Sequence, residues 1–286
     1  MNMQTTFMMD EATLVVPENR AGMFVPADIK NIQRLRNGPV RFDMELPLGA
    51  EYLVQASTDL QAWHPIGAGT AEQVQLEFVD SEAFKFNHRF YRVIADETPS
   101  TAVLGYASTV VPPGISMIAN PFVGGGSVED LLRGWPDGTT LSRFDTRLAR
   151  INDNGVARGR WTHPTERLEP GEGAIFFNPT HDYRTISFLG EVEEGDFTTV
   201  LPAGFSVRSS LVPRFGRLQE DLMFPVADGD VIHLFDRDRQ SYVLYPFENG
   251  QWRNGCPIIS LCEAFWVSKS ADSSWRQTLD IPAYRA

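Results

Sequence analysis

Along much of the chain, apolar and polar residues alternate with a period of two. Phe42, Met44 and Leu46 alternate with Arg41, Asp43 and Glu45. Tyr52, Val54 and Ala56 alternate with Leu53, Gln55 and Ser57, and Pro47-Leu48-Gly49-Ala50 supplies a turn between the two runs. Residues 75–80 and 89–93 continue the pattern. Such runs, separated by turn residues, predict antiparallel strands with one solvated face. Helix-period stretches are scarce. One short helix is predicted after Ser127, with Ser127 as N-cap and Asp130 at the capping-box position, and a second over 218–223. The predicted fold class is all-β.

A second pattern lies over the first. Val110-Val111-Pro112-Pro113-Gly114-Ile115-Ser116 reads against Val200-Leu201-Pro202-Ala203-Gly204-Phe205-Ser206, an offset of 90 between Gly114 and Gly204. Asp137-Gly138, Phe144-Asp145, Trp161 and Glu172 match Asp228-Gly229, Phe235-Asp236, Trp252 and Glu263 at an offset of 91. Leu189 against Leu279 returns to 90. A register held over a whole module reads as a duplication, with a pseudo-twofold relation between the copies.

The predicted organisation is an N-terminal extended arm (1–37), one β-sandwich (38–96), a polar linker at 96–100, and two duplicated β-modules (101–190 and 191–286), each with one short helix. The arm carries the apolar clusters Phe7-Met8-Met9, Leu14-Val15-Val16 and Met23-Phe24-Val25. Alone it buries too little surface to offset its ordering entropy. Its clusters, with Phe7, Met8, Leu14, Val15, Met23 and Phe24 as assembly contacts, suit docking on a neighbouring subunit or packing on the chain's own body.

Residues 52–60, Trp63, Phe78-Val79-Asp80 and Arg89-Phe90-Tyr91-Arg92-Val93 together resemble a fibronectin-III/immunoglobulin-like module. The resemblance implies structural roles: Trp63 between the sheets, Tyr91 in the closing strand, and no active site. The two modules resemble paired β-repeats of bacterial exported and cell-surface proteins, in which a Pro-x-Gly turn, a Trp strand and a Pro-Gly-Glu-Gly-aromatic motif follow one another. Cys262 stands where that motif has Gly171. This resemblance implies a surface location and no assigned chemistry.

Net charge is −12, and no Lys/Arg-dense stretch offers the basic surface that phosphate recognition needs, so no nucleic-acid partner is expected. The four arginines from Arg147 to Arg160 read as a solvated loop. No apolar run approaches the roughly 20 residues that span a bilayer, so no membrane insertion is expected. The first ten residues lack the basic and apolar regions of a secretory signal. Cys256 and Cys262 would lie about 20 Å apart on one strand, beyond the roughly 4.4–6.8 Å of a disulfide. Two free, buried thiols are therefore expected.

No spacing of His64, His88, His163, His181 and His233 suits a zinc site, and all five read as turn or surface residues. Glu172 and Glu263 recur in both copies, but each reads as a carboxylate bonding the N–H groups of the turn before it rather than as half of a catalytic pair. Residues 152–155 and 236–240 faintly resemble calcium loops without the full ligand set, and read as hairpin turns. No catalytic residue, cofactor or metal is expected. Trp161 and Trp252 occupy equivalent positions and read as core, whereas Trp135 and Trp275 lack an aromatic counterpart and read as exposed contacts. The expected function is non-enzymatic: a structural protein forming or decorating the surface of a large assembly, such as a virion or cell-surface layer, with copies of itself or other subunits as partners. An exported glycan-binding module using Trp135 and Trp275 is the alternative.

Overall fold

The computed structural model describes residues 26–36 and 38–284, so Phe7, Met8, Leu14, Val15, Met23 and Phe24 lie outside the described residues. Within them the chain is all-β, as its period-two pattern predicts. The first strands are β1 (Asp28–Arg34), β2 (Val40–Glu45), β3 (Glu51–Ser57), β4 (His64–Thr70), β5 (Gln75–Asp80), β6 (His88–Ala95), β7 (Thr98–Pro99) and β8 (Val103–Val111). The next stretch holds β9 (Gly114–Ile118), α1 (Val128–Leu131), β10 (Thr140–Asp145), β11 (Arg150–Ala157), β12 (Arg160–Trp161), β13 (Ala174–Asn178) and β14 (Arg184–Val192). The last holds β15 (Gly195–Leu201), β16 (Gly204–Arg208), β17 (Gly216–Arg217), β18 (Val231–Asp236), β19 (Ser241–Glu248), β20 (Gln251–Trp252), β21 (Ile258–Ile259), β22 (Phe265–Lys269) and β23 (Ser273–Leu279).

A three-stranded sheet, β1-β2-β5, and a larger sheet, β14-β8-β6-β3-β4, share one core of Ile29, Phe42, Met44, Val54, Tyr91, Val93 and Tyr106. Asp80 is buried there and accepts from Tyr91 Oη (2.8 Å) and Arg89 (2.7 Å). The buried carboxylate is thus paired and bonded rather than stranded. Trp63, expected between the sheets, is instead only partly buried and packs against the cluster that holds Phe122 and Phe176 rather than this core, with the Arg92 guanidinium 4.4 Å above its ring.

Two predicted boundaries move. Residues 28–34 of the expected arm form β1, paired antiparallel with β2. The expected linker is a hairpin: β7 pairs with β6, and Asp96 and Glu97 take left-handed backbone (φ 45° and 65°). β8 and β14 then extend the β6 sheet, so the boundary expected at 96–100 falls inside one sheet. Alternation tells which face of a strand is buried, not which strand lies beside it.

Beyond β8 the chain builds two five-stranded sheets of the same order, β12-β11-β10-β13-β9 and β20-β19-β18-β22-β16. Their registers agree at an offset of 91: Thr140 faces Phe177 as Val231 faces Ser268, and Ser142 faces Ile175 as His233 faces Trp266. Gly114 and Gly204 enter the first strand of each sheet with φ of 93° and 89°, a backbone shape only glycine adopts freely. Ser127 caps α1 with the predicted capping box, its Oγ accepting from Asp130 N while the Asp130 carboxylate accepts from Ser127 N. The second sheet has no matching helix. Residues 218–222 form turns in which Asp221 and Leu222 N both donate to Arg217 O.

The inner face of the first sheet packs on Ile118, Leu141, Val156, Trp161 and Phe176, and that of the second on Ile232, Phe265, Val267 and Trp275. Their other faces meet. Met117, Ala119, Val207, Phe235 and Ala264 form a joint core. Ala119 N donates to Cys262 O (3.1 Å) and Ser209 N donates to Gly171 O (3.2 Å), a reciprocal pair between matched positions. Gly173 sits against its own counterpart: a Cβ built there would lie 2.5 Å from the Ala264 Cβ. The sheets therefore meet across a local pseudo-twofold at Gly173 and Ala264.

Candidate functional site

Where the two faces splay apart they leave a cleft of about 460 Å³ lined by Phe144, Ile151 and Ile175 from the first sheet and Phe205, His233, Tyr242 and Trp266 from the second. All seven occupy strand positions on the face away from their own sheet's core. Phe205 is 53% exposed, Ile151 51% and Tyr242 43%. The rings form a continuous surface: Trp266 lies 4.8 Å from Phe144 and 6.3 Å from Phe205, and His233 lies 5.7 Å from Phe205. Trp266 Nε1 donates to Tyr242 Oη (3.1 Å), which fixes both rings. His233 Nε2 is buried and makes no hydrogen bond among the described residues. Burial holds the imidazole below its ordinary pKa, so it lines the cleft as a neutral ring at neutral pH.

The cleft is open because the pseudo-symmetry breaks in one hairpin. In the turn after β18, Arg237 donates to Thr109 Oγ1 (2.7 Å), Val110 O (3.0 Å) and Met117 O (3.0 Å). Gln240 reaches Ile115, accepting from its N (2.7 Å) and donating to its O (3.0 Å). That hairpin closes one side of the junction. In the first sheet the matching positions are Thr146 and Ala149. Neither carries a long donor, and Phe205 and Val200 beside the turn after β10 are more exposed (53% and 63%) than Ile115 and Val110 on the clamped side (36% and 53%).

Two sequence-predicted contacts are corrected. Trp135 and Trp275 are buried, at 7% and 0% exposure. Trp135 packs edge-on against Phe176 (4.7 Å) under the Arg184 guanidinium (4.1 Å). Trp275 donates from Nε1 to Leu222 O (2.7 Å) beside Phe224. The reason lies in register. An offset of 90 sets Trp275 against exposed Thr185, but Val111 faces Arg184 and Leu201 faces Ser273, so the structural counterpart of Trp275 is buried Ile186. The offset here is 89, so the expected match of Leu189 with Leu279 fails as well, Gly190 being the counterpart of Leu279; one residue of slip changes the face. The flat-ring glycan platform assigned to these two tryptophans is therefore absent. Trp161 is core, whereas Trp252 is half-buried.

Glu172 and Glu263 accept from the backbone N–H three residues earlier, at Glu169 (3.1 Å) and Ser260 (2.9 Å), the structural role their spacing predicts. Glu172 also pairs with Arg143 (2.6 Å). His88 and His233 lie on β6 and β18 and are half-buried, which corrects their reading as turn or surface residues; His64, His163 and His181 are exposed. Residues 236–240 form the predicted hairpin turn, but 152–155 lie within β11, where Asn154 bonds His163 and Glu166. No group of three or more His, Cys, Asp or Glu among the described residues is placed to hold a metal ion. Both cysteines are free, Cys262 buried as expected but Cys256 only half-buried; burial pushes the Cys256 thiol up to about 11 and the Cys262 thiol up to about 12.

Sequence reasoning missed Phe205, Tyr242 and Trp266. A signal was present: in Phe265-Trp266-Val267 both faces of one strand are apolar, and that is a mark of a strand covered on two sides. Fold and site define an all-β protein of packed antiparallel sheets with an uncovered aromatic cleft. No protein-family model matches the chain, and no curated protein does. Among the described residues no helix is long and apolar enough to cross a membrane.

Proposed function

We propose that this chain is a non-enzymatic structural protein that forms or decorates the surface of a large assembly, such as a virion or a cell-surface layer, with its N-terminal arm docking on a neighbouring subunit. The observation that carries this reading is the aromatic cleft. A contiguous apolar surface left open on one chain marks a contact site for another molecule. Its lining is almost wholly carbon, without the convergent polar groups that orient a small substrate. Within this reading residues 38–96, joined in their sheets by β1, β8 and β14, form a fibronectin-III/immunoglobulin-like sandwich, and the two five-stranded sheets descend from one duplicated unit.

The test substitutes serine for Phe7, Met8, Leu14, Val15, Met23 and Phe24 in the full-length chain and measures mass by light scattering. Substitution is cleaner than deletion through residue 30, which would cut into β1. The unsubstituted chain is expected to run well above its 32.0 kDa monomer mass, and the arm variant to fall to it. An unchanged mass in the arm variant removes the reading.

A further inference from the structure

Resting on that reading, we infer that the aromatic cleft between the two five-stranded sheets is the seat for the N-terminal arm of a second copy of this chain, and that it takes the Phe7-Met8-Met9 cluster.

Reach narrows the choice of cluster and chemistry makes it. The described chain begins at Pro26, and Ala27 is fixed in the sandwich core, its carbonyl accepting from Thr101 N (3.0 Å). At most four residues from Ala27, Met23-Phe24-Val25 can extend only about 14 Å from that anchor. Met9 is 18 residues from Ala27, a span of up to about 60 Å when extended. Chemistry agrees with reach. Methionine is flexible enough to fill an irregular slot, and its thioether favours aromatic ring edges. Phe144, Phe205, Tyr242 and Trp266 supply aromatic rings from both walls.

Charge complements the fit. Asp10 and Glu11 follow the cluster directly. Arg147 and Arg150, exposed on the β10–β11 hairpin beside Ile151, form no ion pair among the described residues. The same hairpin leaves the cleft open, because Thr146 and Ala149 replace the closing Arg237 and Gln240. An arm in the cleft would cover Phe205 and Ile151, two of the most exposed apolar side chains of this face.

The test uses full-length chains. Phe205→Ser with Ile151→Ser alters one exposed residue on each wall, and burying such anchors is worth enough that association should weaken at least about tenfold. Phe84→Ser, at an exposed site elsewhere (57%), should leave the mass unchanged. In a mixture of Met8→Cys and Phe205→Cys chains, mild oxidation should give a covalent dimer that neither chain forms alone, with Cys256 and Cys262 setting the background. Retained assembly in the cleft variant, alongside its loss in the arm variant, overturns the cleft assignment while sparing the arm reading. A disulfide formed only within chains carrying both cysteines shows the arm folding back on its own subunit, and overturns it too. If neither variant changes the mass, both readings fall.

Discussion

At Asp230 and Lys269 the second five-stranded sheet holds a fully buried ion pair. Asp230 also accepts from Ala227 N (2.9 Å), Ser270 N (2.7 Å) and Ser270 Oγ (2.9 Å). Burial alone would raise its pKa, but the bonds from Lys269, Ser270 and Ala227 outweigh that and hold the carboxyl below its usual range. The first sheet has Thr139 and Asn178 at these positions, and Asn178 Nδ2 donates to the Val111, Pro112 and Asp182 carbonyls. Lys269→Ala strands a buried carboxylate and is expected to cost about 3–5 kcal/mol in urea unfolding. The double variant Asp230→Thr/Lys269→Asn leaves no unpaired charge and should cost less. Equal losses would show that the pair is not the unit of stability.

Histidines set a separate pH response at this scale. Burial holds His88 below its ordinary pKa, although its Nε2 donates to Thr58 O (2.9 Å), and burial does the same to His233. The folded values lie below the unfolded one near 6.5, so on acidification the unfolded chain takes up protons first. Stability should therefore fall as pH drops below about 6.5 and go on falling until the folded rings protonate. The contribution of Asp230, whose folded pKa is also depressed, is lost only at lower pH, as its carboxyl titrates. Urea midpoints between pH 8 and 5 check this, and His88→Gln with His233→Gln should flatten the slope. A midpoint constant down to pH 5 would contradict it.

Among the elements, the hairpins decide more than the strands. The strands of the two sheets share order and register, yet one hairpin clamps β8 and β9 through Arg237 and Gln240, and the other makes no such bonds among the described residues. Arg237→Ala removes three charge-assisted bonds at the module junction and leaves the Val110 and Met117 carbonyls with one donor fewer. A loss of about 2–3 kcal/mol is expected, with increased solvent access at Met117 and Tyr242 read by hydrogen exchange. Unchanged exchange there would mean that packing alone holds the junction. At this scale several local signals were readable: the Pro-x-Gly entries, the α1 capping box and the Glu172 and Glu263 turns stand as predicted, whereas the helix expected over 218–223 and the turn expected at 152–155 do not form. It misled at β23, where the loop before the strand is shorter than its counterpart and the change in offset flips Trp275 inward.

In the whole molecule, the joint core between the sheets turns on one close approach. Gly173 lies against Ala264, and an added Cβ would also come within 2.7 Å of Val207 Cγ1. Gly173→Ala should separate the sheets locally and cost about 1–3 kcal/mol, the usual range for overpacking. Combining it with Ala264→Gly exchanges the two residues across the pseudo-twofold and should restore part of that loss, as thermal unfolding can show. No restoration would place the strain on Val207 instead.

The sequence by itself determined the all-β class, the shared offset through the two five-stranded sheets and much of the turn chemistry, because each of these is written in residue type and short-range spacing. Tertiary structure decided which strands pair, where residues 28–34 and 98–111 belong, and which aromatics stay exposed. Those outcomes depend on contacts between positions far apart in the chain, where a single residue of register or one long side chain in a hairpin determines which face meets water.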